Sequence, residues 1–142
     1  MIRKYLDSDL DIVMKLWLDT NIQSHRFISE EYWIDNYEMV REMLPKAEIY
    51  VYENDASAQV EGFIGLTGHY IAGIFVKADV QSMGIGKRLL DHVKSFKPHL
   101  SLNVYQKNER AIRFYRREQF LLQSESIDEN TNEEEYIMTW KR

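Results

Sequence analysis

The sequence predicts an α/β domain built on a mixed sheet, with elements in the order β-α-α-β-β-β-α-β-α-β-β. Three observations lead there. The apolar stretch Ile74 to Val76 gives way within a few residues to Leu89, Leu90, Val93 and Phe96 at helical spacing, so a strand feeds a helix through a short turn. Short apolar runs with strand character alternate with longer runs of period 3.6 over the rest of the chain. A length of 142 residues with 44% hydrophobic and 13% aromatic content is enough for one core without staples, and no repeat or linker divides it, so residues 1–142 form one domain.

Taken in order, Ile2 to Tyr5 makes a short strand. Ser8 and Asp11 form a capping box for a helix from Ser8 to Asn21, with Leu10, Val13 and Trp17 on one face. The stretch from Gln23 to Ile28 breaks the pattern. Ser29 caps a second helix whose face is Trp33, Tyr37, Val40 and Leu44, and Pro45 closes it. Three strands follow, Ile49 to Glu53, Val60 to Thr67 and Tyr70 to Val76. The last shows little alternation, as expected of a central strand covered on both faces. After the helix that follows Gly84, Pro98 marks a stop. Leu100, Leu102 and Val104 alternate in a further strand, and Asn108 to Glu118 reads as a helix. Phe120 to Gln123 and Tyr136 to Trp140 make a closing hairpin around a loop rich in Asp, Glu and Asn.

Composition narrows the chemistry. The chain has no cysteine, which removes disulfides, Cys-ligated zinc and any acyl group carried on a thiol. With 18 basic and 23 acidic side chains the formal charge is −5, which argues against nucleic acid as a partner. No apolar run reaches the length of a membrane span and the first residues lack a signal-peptide core, so a cytoplasmic protein with no membrane partner is expected. Monomer and homodimer both remain open, and no metal is expected.

Gly84 and Gly86 strip side chains from the first turn of a helix, where backbone N–H groups lack partners and the helix dipole favours anions. This is an anion site, best suited to phosphates. A P-loop is excluded because Gln81 stands five before Gly86 and Arg88 stands where the metal-binding hydroxyl belongs. A dinucleotide fingerprint is excluded because Leu89 replaces its third glycine.

What remains, Gln81-Ser82-Met83-Gly84-Ile85-Gly86, resembles the Q/R-x-x-G-x-G/A signature of the GNAT superfamily of N-acetyltransferases. A second landmark agrees. The family's N-x-x-A-x-x-F/L-Y after a strand is matched by Asn108, Ala111, Phe114 and Tyr115, and the element order fits throughout the chain, which is similar to small stand-alone bacterial members. The resemblance implies the GNAT fold around a central, mostly antiparallel mixed sheet, and transfer of acetyl from acetyl-CoA as cosubstrate directly to a primary amine. The acceptor would be a protein or peptide lysine, or else a small amine.

The resemblance also implies roles. Ile74, Phe75 and Val76 would meet the pantetheine arm, and Gln81, Ser82, Met83, Gly84, Ile85, Gly86 and Lys87 would wrap the pyrophosphate. Asn108 and Ala111 would border the arm, with Asn108 either bonding it or serving as a helix cap. Tyr115 would lie beside the sulfur and protonate the leaving thiolate. Arg110, Arg113 and Arg117 share a helical face and with Lys87 and Arg88 could form a basic patch for CoA phosphates.

The general base stays open. The family's usual glutamate positions hold no carboxylate, Asn103 occupying one, which leaves His69, Tyr70, His25 and Glu31; His25 and Phe27 would also border the acceptor. Gln119 replaces a usual helix-ending glycine, so a different ending of that helix is expected. The acidic stretch from Glu125 to Glu135 either draws cationic acceptors or only solubilises the chain. A non-catalytic acyl-CoA-binding module is the alternative to an enzyme.

Overall fold

A computed structural model describes residues 1–142. Seven strands form one sheet: β1 (Ile2–Lys4), β2 (Glu48–Glu53), β3 (Val60–Thr67), β4 (Tyr70–Val76), β5 (His99–Tyr105), β6 (Leu121–Asp128) and β7 (Glu133–Lys141). Four helices cover it: α1 (Leu10–Ser24), α2 (Glu30–Met43), α3 (Ile85–Lys94) and α4 (Glu109–Arg117). The expected order of elements is the one observed. In space the strands run β1-β2-β3-β4-β5-β7-β6, every neighbouring pair antiparallel except β4 with β5.

The two faces of the sheet bury separate apolar clusters because successive strand residues point to opposite sides. On one face Val13, Met14 and Leu16 of α1 pack with Ile49, Val51 and Phe63. On the other, Leu89, Leu90 and Val93 of α3 and Ile112 and Tyr115 of α4 pack with Ile64, Leu66, Ile71, Leu102 and Val104.

Four local expectations are corrected. Ser8 is no cap, because the chain enters α1 through a 3-10 turn over Asp7–Asp9. Buried Asp9 instead accepts from the Leu6 N–H at 2.8 Å and pairs in bidentate fashion with Arg3 at 2.8 and 3.0 Å. That pairing holds its carboxyl below the usual range and outcompetes a solvated serine cap.

Strand β4 is not covered on both faces: of its seven residues only Ile71 is buried. Its alternation fails because Ala72 is an extra residue, Leu66 pairing with Ile71 and Gly65 with Gly73. This bulge resets the pleat, so that Ile71 and Ile74 share the α3–α4 face while Phe75 stacks on Phe63 in the other cluster at 4.7 Å.

The closing hairpin is longer than its apolar residues indicate. Strand β6 runs to Asp128 and β7 begins at Glu133, because pairing of β7 with both β5 and β6 orders acidic residues that read as loop.

Helix α4 ends in the left-handed turn that glycine usually supplies, with Gln119 itself at φ 73°. Phe120 N–H reaches Tyr115 C=O at 2.9 Å and Gln119 N–H reaches Arg116 C=O at 3.0 Å, a Schellman closure. Burial of Phe120 offsets the backbone cost. Replacing Gln119→Gly should therefore stabilise the fold by about 0.5–1 kcal/mol, less the entropy glycine adds to the unfolded chain. A higher urea midpoint at unchanged m-value is the expected result.

Candidate active site

The site begins where the sheet comes apart. Strands β4 and β5 pair only at Tyr70 with Ser101 and Ile71 with Leu102, after which they diverge. Gly73 to Val76 then have a ladder partner in β3 alone. Their other edge borders a cleft of about 900 Å³ that runs between the two helical layers.

The connection from β4 to α3 forms one end of this cleft. Gln81 Nε2 donates to Val76 C=O at 2.9 Å and folds the loop back on the strand. Ser82 and Gly84 both take positive φ, 67° and 86°, which turns the chain sharply into α3. The first hydrogen bond of α3 runs from Arg88 N–H to Gly84 C=O, so the N–H groups of Ile85, Gly86 and Lys87 have no partner within the helix. Arg110 of α4 clamps the loop from across the cleft through Gln81 Oε1 at 2.8 Å and Ser82 Oγ at 2.9 Å. A Cβ on Gly86 would meet only Phe114 and Ile74 side-chain atoms, at ordinary distances of 3.5 to 3.9 Å. Packing therefore does not demand glycine there, and what a side chain would obstruct is the cleft.

Basic groups gather at the same end. Arg113 and Arg117 line the cleft beside Arg110, as does Lys87, which is partly neutralised by Glu118 at 3.1 Å and Asp91 at 3.0 Å. Arg88 turns away, donating to Tyr52 Oη at 3.2 Å.

Midway stands Tyr115. Its ring packs edge-on against Phe114 and Phe120, and burial, with Tyr70 as a lesser influence, lifts its phenol well above the ordinary value. The hydroxyl is thus fully protonated at neutral pH. Asn108 caps α4 by accepting from Ala111 N–H at 3.2 Å, while its Nδ2 donates to His25 Nε2 at 3.3 Å.

The far end is walled by aromatic rings and β5–β7 side chains. His25 stacks on Trp33 at 5.3 Å and meets Tyr105 edge-on at 5.0 Å. Burial lowers its pKa to about 4, so the ring is neutral. Tyr70, Asn103 and Glu135 complete this end.

Residues 45–120 match the model of the acetyltransferase (GNAT) domain. Over 142 residues, 99% of this chain and 96% of the relative, the sequence is 36% identical to the peptidyl-lysine N-acetyltransferase YiaC of Escherichia coli K12. The chain belongs to the GNAT acetyltransferase family. It is 32% identical to the peptidyl-lysine N-acetyltransferase YjaB of the same organism, over 82% of this chain and 78% of that one. The solution structure of apo YjaB from E. coli superposes with a TM-score of 0.87 at 28% identity, covering 99% of this chain and 96% of that one. The fold is shared with YncA from Salmonella typhimurium, whose structure contains its cofactor acetyl-CoA (TM-score 0.68, 13% identity, 99% and 92% covered).

As a GNAT enzyme the chain uses acetyl-CoA, and the observed cleft fits it. The free β4 edge can pair with a peptide-like arm, and the unpartnered N–H groups with the arginines can meet phosphates.

Most of the residues expected to bind cofactor line the cleft together: Ile74, Phe75, Val76, Gln81, Ser82, Gly84, Ile85, Gly86, Lys87, Asn108, Ala111 and Tyr115. Phe75 does so while its ring belongs to the core. Met83 is an exception, 68% exposed and outside the lining.

On the acceptor side Tyr70 and His25 line the cleft, but His69 does not. It stacks on His99 at 3.8 Å and its Nδ1 lies 2.9 Å from His99 C=O, at the opposite end of β4 from the glycine loop. Glu31 is exposed on α2, and Phe27 packs behind the site against His25 and Tyr105. His25 is a poor base, its pKa lowered by burial and its Nε2 engaged by Asn108. Sequence reasoning missed Trp33 as part of the cleft and did not single out Glu135 from the acidic stretch it offered as a draw for cationic acceptors. Trp33 was legible only as a core face, and Glu135 was hidden in an acidic run.

Gly86→Glu should weaken acetyl-CoA at least about tenfold by placing bulk and like charge among phosphate donors, with little change in thermal unfolding. Calorimetric titration and melting of the variant check both. Because the folded pKa of His25 is depressed, the unfolded chain takes up its proton first as pH falls from about 6.5 to about 4. The stability this neutral ring contributes is present above that window and is lost through it, so His25→Gln should flatten the acid side of a stability–pH curve measured by denaturant titration.

Proposed function

We propose that this acetyltransferase acts on lysine side chains of proteins or peptides, with Tyr115 as the acid that protonates the departing CoA sulfur. The observation that carries the reading is the position of the Tyr115 phenol, protonated at neutral pH as phenols are, between an end rich in unpartnered N–H groups and arginines and a far end that has no cationic group. The direction of transfer follows from that polarity. CoA phosphates belong with Lys87, Gly86 and the α4 arginines, the pantetheine arm with the free edge of β4 from Gly73 to Val76, and the acetyl group near Tyr115.

The acceptor then approaches between α1–α2 and the β5–β7 strands, where Trp33, His25, Tyr70 and Tyr105 form a largely aromatic throat suited to an alkyl chain ending in an ammonium group. The relatives' activity on peptidyl lysine supports the same choice. Asn108 holds the throat to the acyl site through its contact with His25. Its hydrogen bond to the α4 backbone fixes the helix that carries Tyr115.

Removing only the proton donor should separate chemistry from binding. Tyr115→Phe should slow turnover of a lysine peptide by about 10²-fold while acetyl-CoA affinity stays within a few-fold. Single-turnover release of free CoA thiol, beside calorimetric titration of acetyl-CoA, gives both quantities. Unchanged turnover would make Tyr115 a packing residue. Acetylation of peptide N-termini or polyamines in preference to lysine, read by mass shift, would replace the acceptor.

A further inference from the structure

Two carboxylates line the cleft, Glu118 and Glu135. They are not equivalent. Glu118 lies at the phosphate end and is paired with the Lys87 ammonium at 3.1 Å. Glu135 lies at the other end and forms no salt bridge, although Glu133, two residues earlier on the same face of β7, pairs with Lys107 at 3.0 Å. The cleft therefore contains one uncompensated negative charge, and it sits on the side away from the arginines.

Its placement is rigid. Glu135 is in the body of β7, paired across to Tyr105 of β5 on one side and Ser126 of β6 on the other. Asn103 Nδ2 donates to its Oε1 at 3.3 Å. The groups around it are neutral or acidic: Tyr70 from β4, Tyr105 from β5, Tyr32 from α2, and Asp128 from β6, which itself accepts from Tyr105 Oη at 2.6 Å. A half-buried carboxylate with no cation of its own, ringed by aromatic side chains, is a receptor for a cation supplied from outside.

We propose that Glu135 receives the acceptor amine, holding its ammonium group at the far end of the cleft and taking its proton before attack. The assignment rests on an amine as acceptor, and it supplies a base other than Tyr70, the sequence candidate at the same end, whose phenol pKa is raised by burial. Burial, and to a lesser degree the charge of Asp128, lift the carboxyl of Glu135 above the ordinary range, which brings it closer to the amine it must deprotonate.

The step balances. The ammonium gives one proton to Glu135, and the freed lone pair on nitrogen attacks the thioester carbonyl carbon to form the C–N bond. The C–S bond then breaks with its electron pair on sulfur. Tyr115 protonates the sulfur, and its phenol is refilled by the surplus proton of the newly acylated nitrogen. Glu135 returns its proton to water.

The test compares wild type with Glu135→Gln, which keeps shape and the Asn103 contact, and with Glu134→Gln on the exposed opposite face. The acceptors are a lysine peptide and 2,2,2-trifluoroethylamine, which is already neutral at pH 7. With the peptide, Glu135→Gln should lower kcat/KM about 10²-fold, the scale of losing a general base. Its rate should go on rising toward the lysine's own pKa near 10.4, where wild type has levelled off. With trifluoroethylamine the loss should be only a few-fold, and acetyl-CoA affinity and the Glu134→Gln variant should match wild type. Equal losses on both amines, or no loss on the peptide, would overturn the role of Glu135 while leaving acetyl transfer to lysine in place. If wild type prefers another cationic amine to the peptide, the lysine reading falls, and a selective loss on that amine still supports Glu135.

Discussion

The parting of β4 from β5 is the constraint on which the rest of the molecule depends. Two residue pairs join these strands, and beyond Ile71 and Leu102 the ladder stops. A sheet that stayed paired here would bury the edge of β4 and leave no passage between the helical layers. Because it opens, backbone groups from Gly73 to Val76 face a cleft, and the strand's end delivers the chain to α3 with its N-terminal N–H groups turned toward the same space. The Ala72 bulge serves this geometry. It keeps Ile71 and Ile74 in one core while Phe75 anchors the other, so the strand is fixed from both layers at the point where its neighbour leaves.

Charge is laid out along the cleft in one direction. Lys87, Arg110, Arg113 and Arg117 stand at the α3–α4 end, and Glu118 tempers only the first of them. The middle holds the un-ionised phenol of Tyr115, and toward the far end the imidazole of His25 is kept neutral by burial. At the far end Glu135 has no counter-ion. A polyanion and a cation entering such a cleft are sorted to opposite ends before any specific contact forms, since each avoids the other's end.

The glycine loop is held by side chains remote in sequence. Arg110 reaches Gln81 and Ser82, and Lys94 reaches Glu118 C=O at 2.6 Å near the end of α4. Helix α4 is thereby tied to the glycine loop at its start and to α3 at its end, its Schellman closure fixed by Phe120 in the core. Tyr115 rides on that locked helix, which is how a residue on one turn of a short helix keeps a constant position against the glycine loop.

The sequence by itself determined the order of elements, the glycine turn that opens a helix at Gly84 and Gly86, and the family those residues indicate. Each is written locally, in spacing that a few consecutive residues reveal. It did not disclose Glu135 or Trp33 as cleft residues, the displacement of His69, or the left-handed turn at Gln119. The acids of β6 and β7 read as loop because their strand character comes only from pairing with β5 and with each other. His69 lies next to Tyr70 in the chain but at the tip of a hairpin, where it stacks on His99 of another strand. Whether a side chain reaches the cleft depends on which strands part and where a bulge shifts the pleat, and those are decided by contacts between residues far apart in the chain.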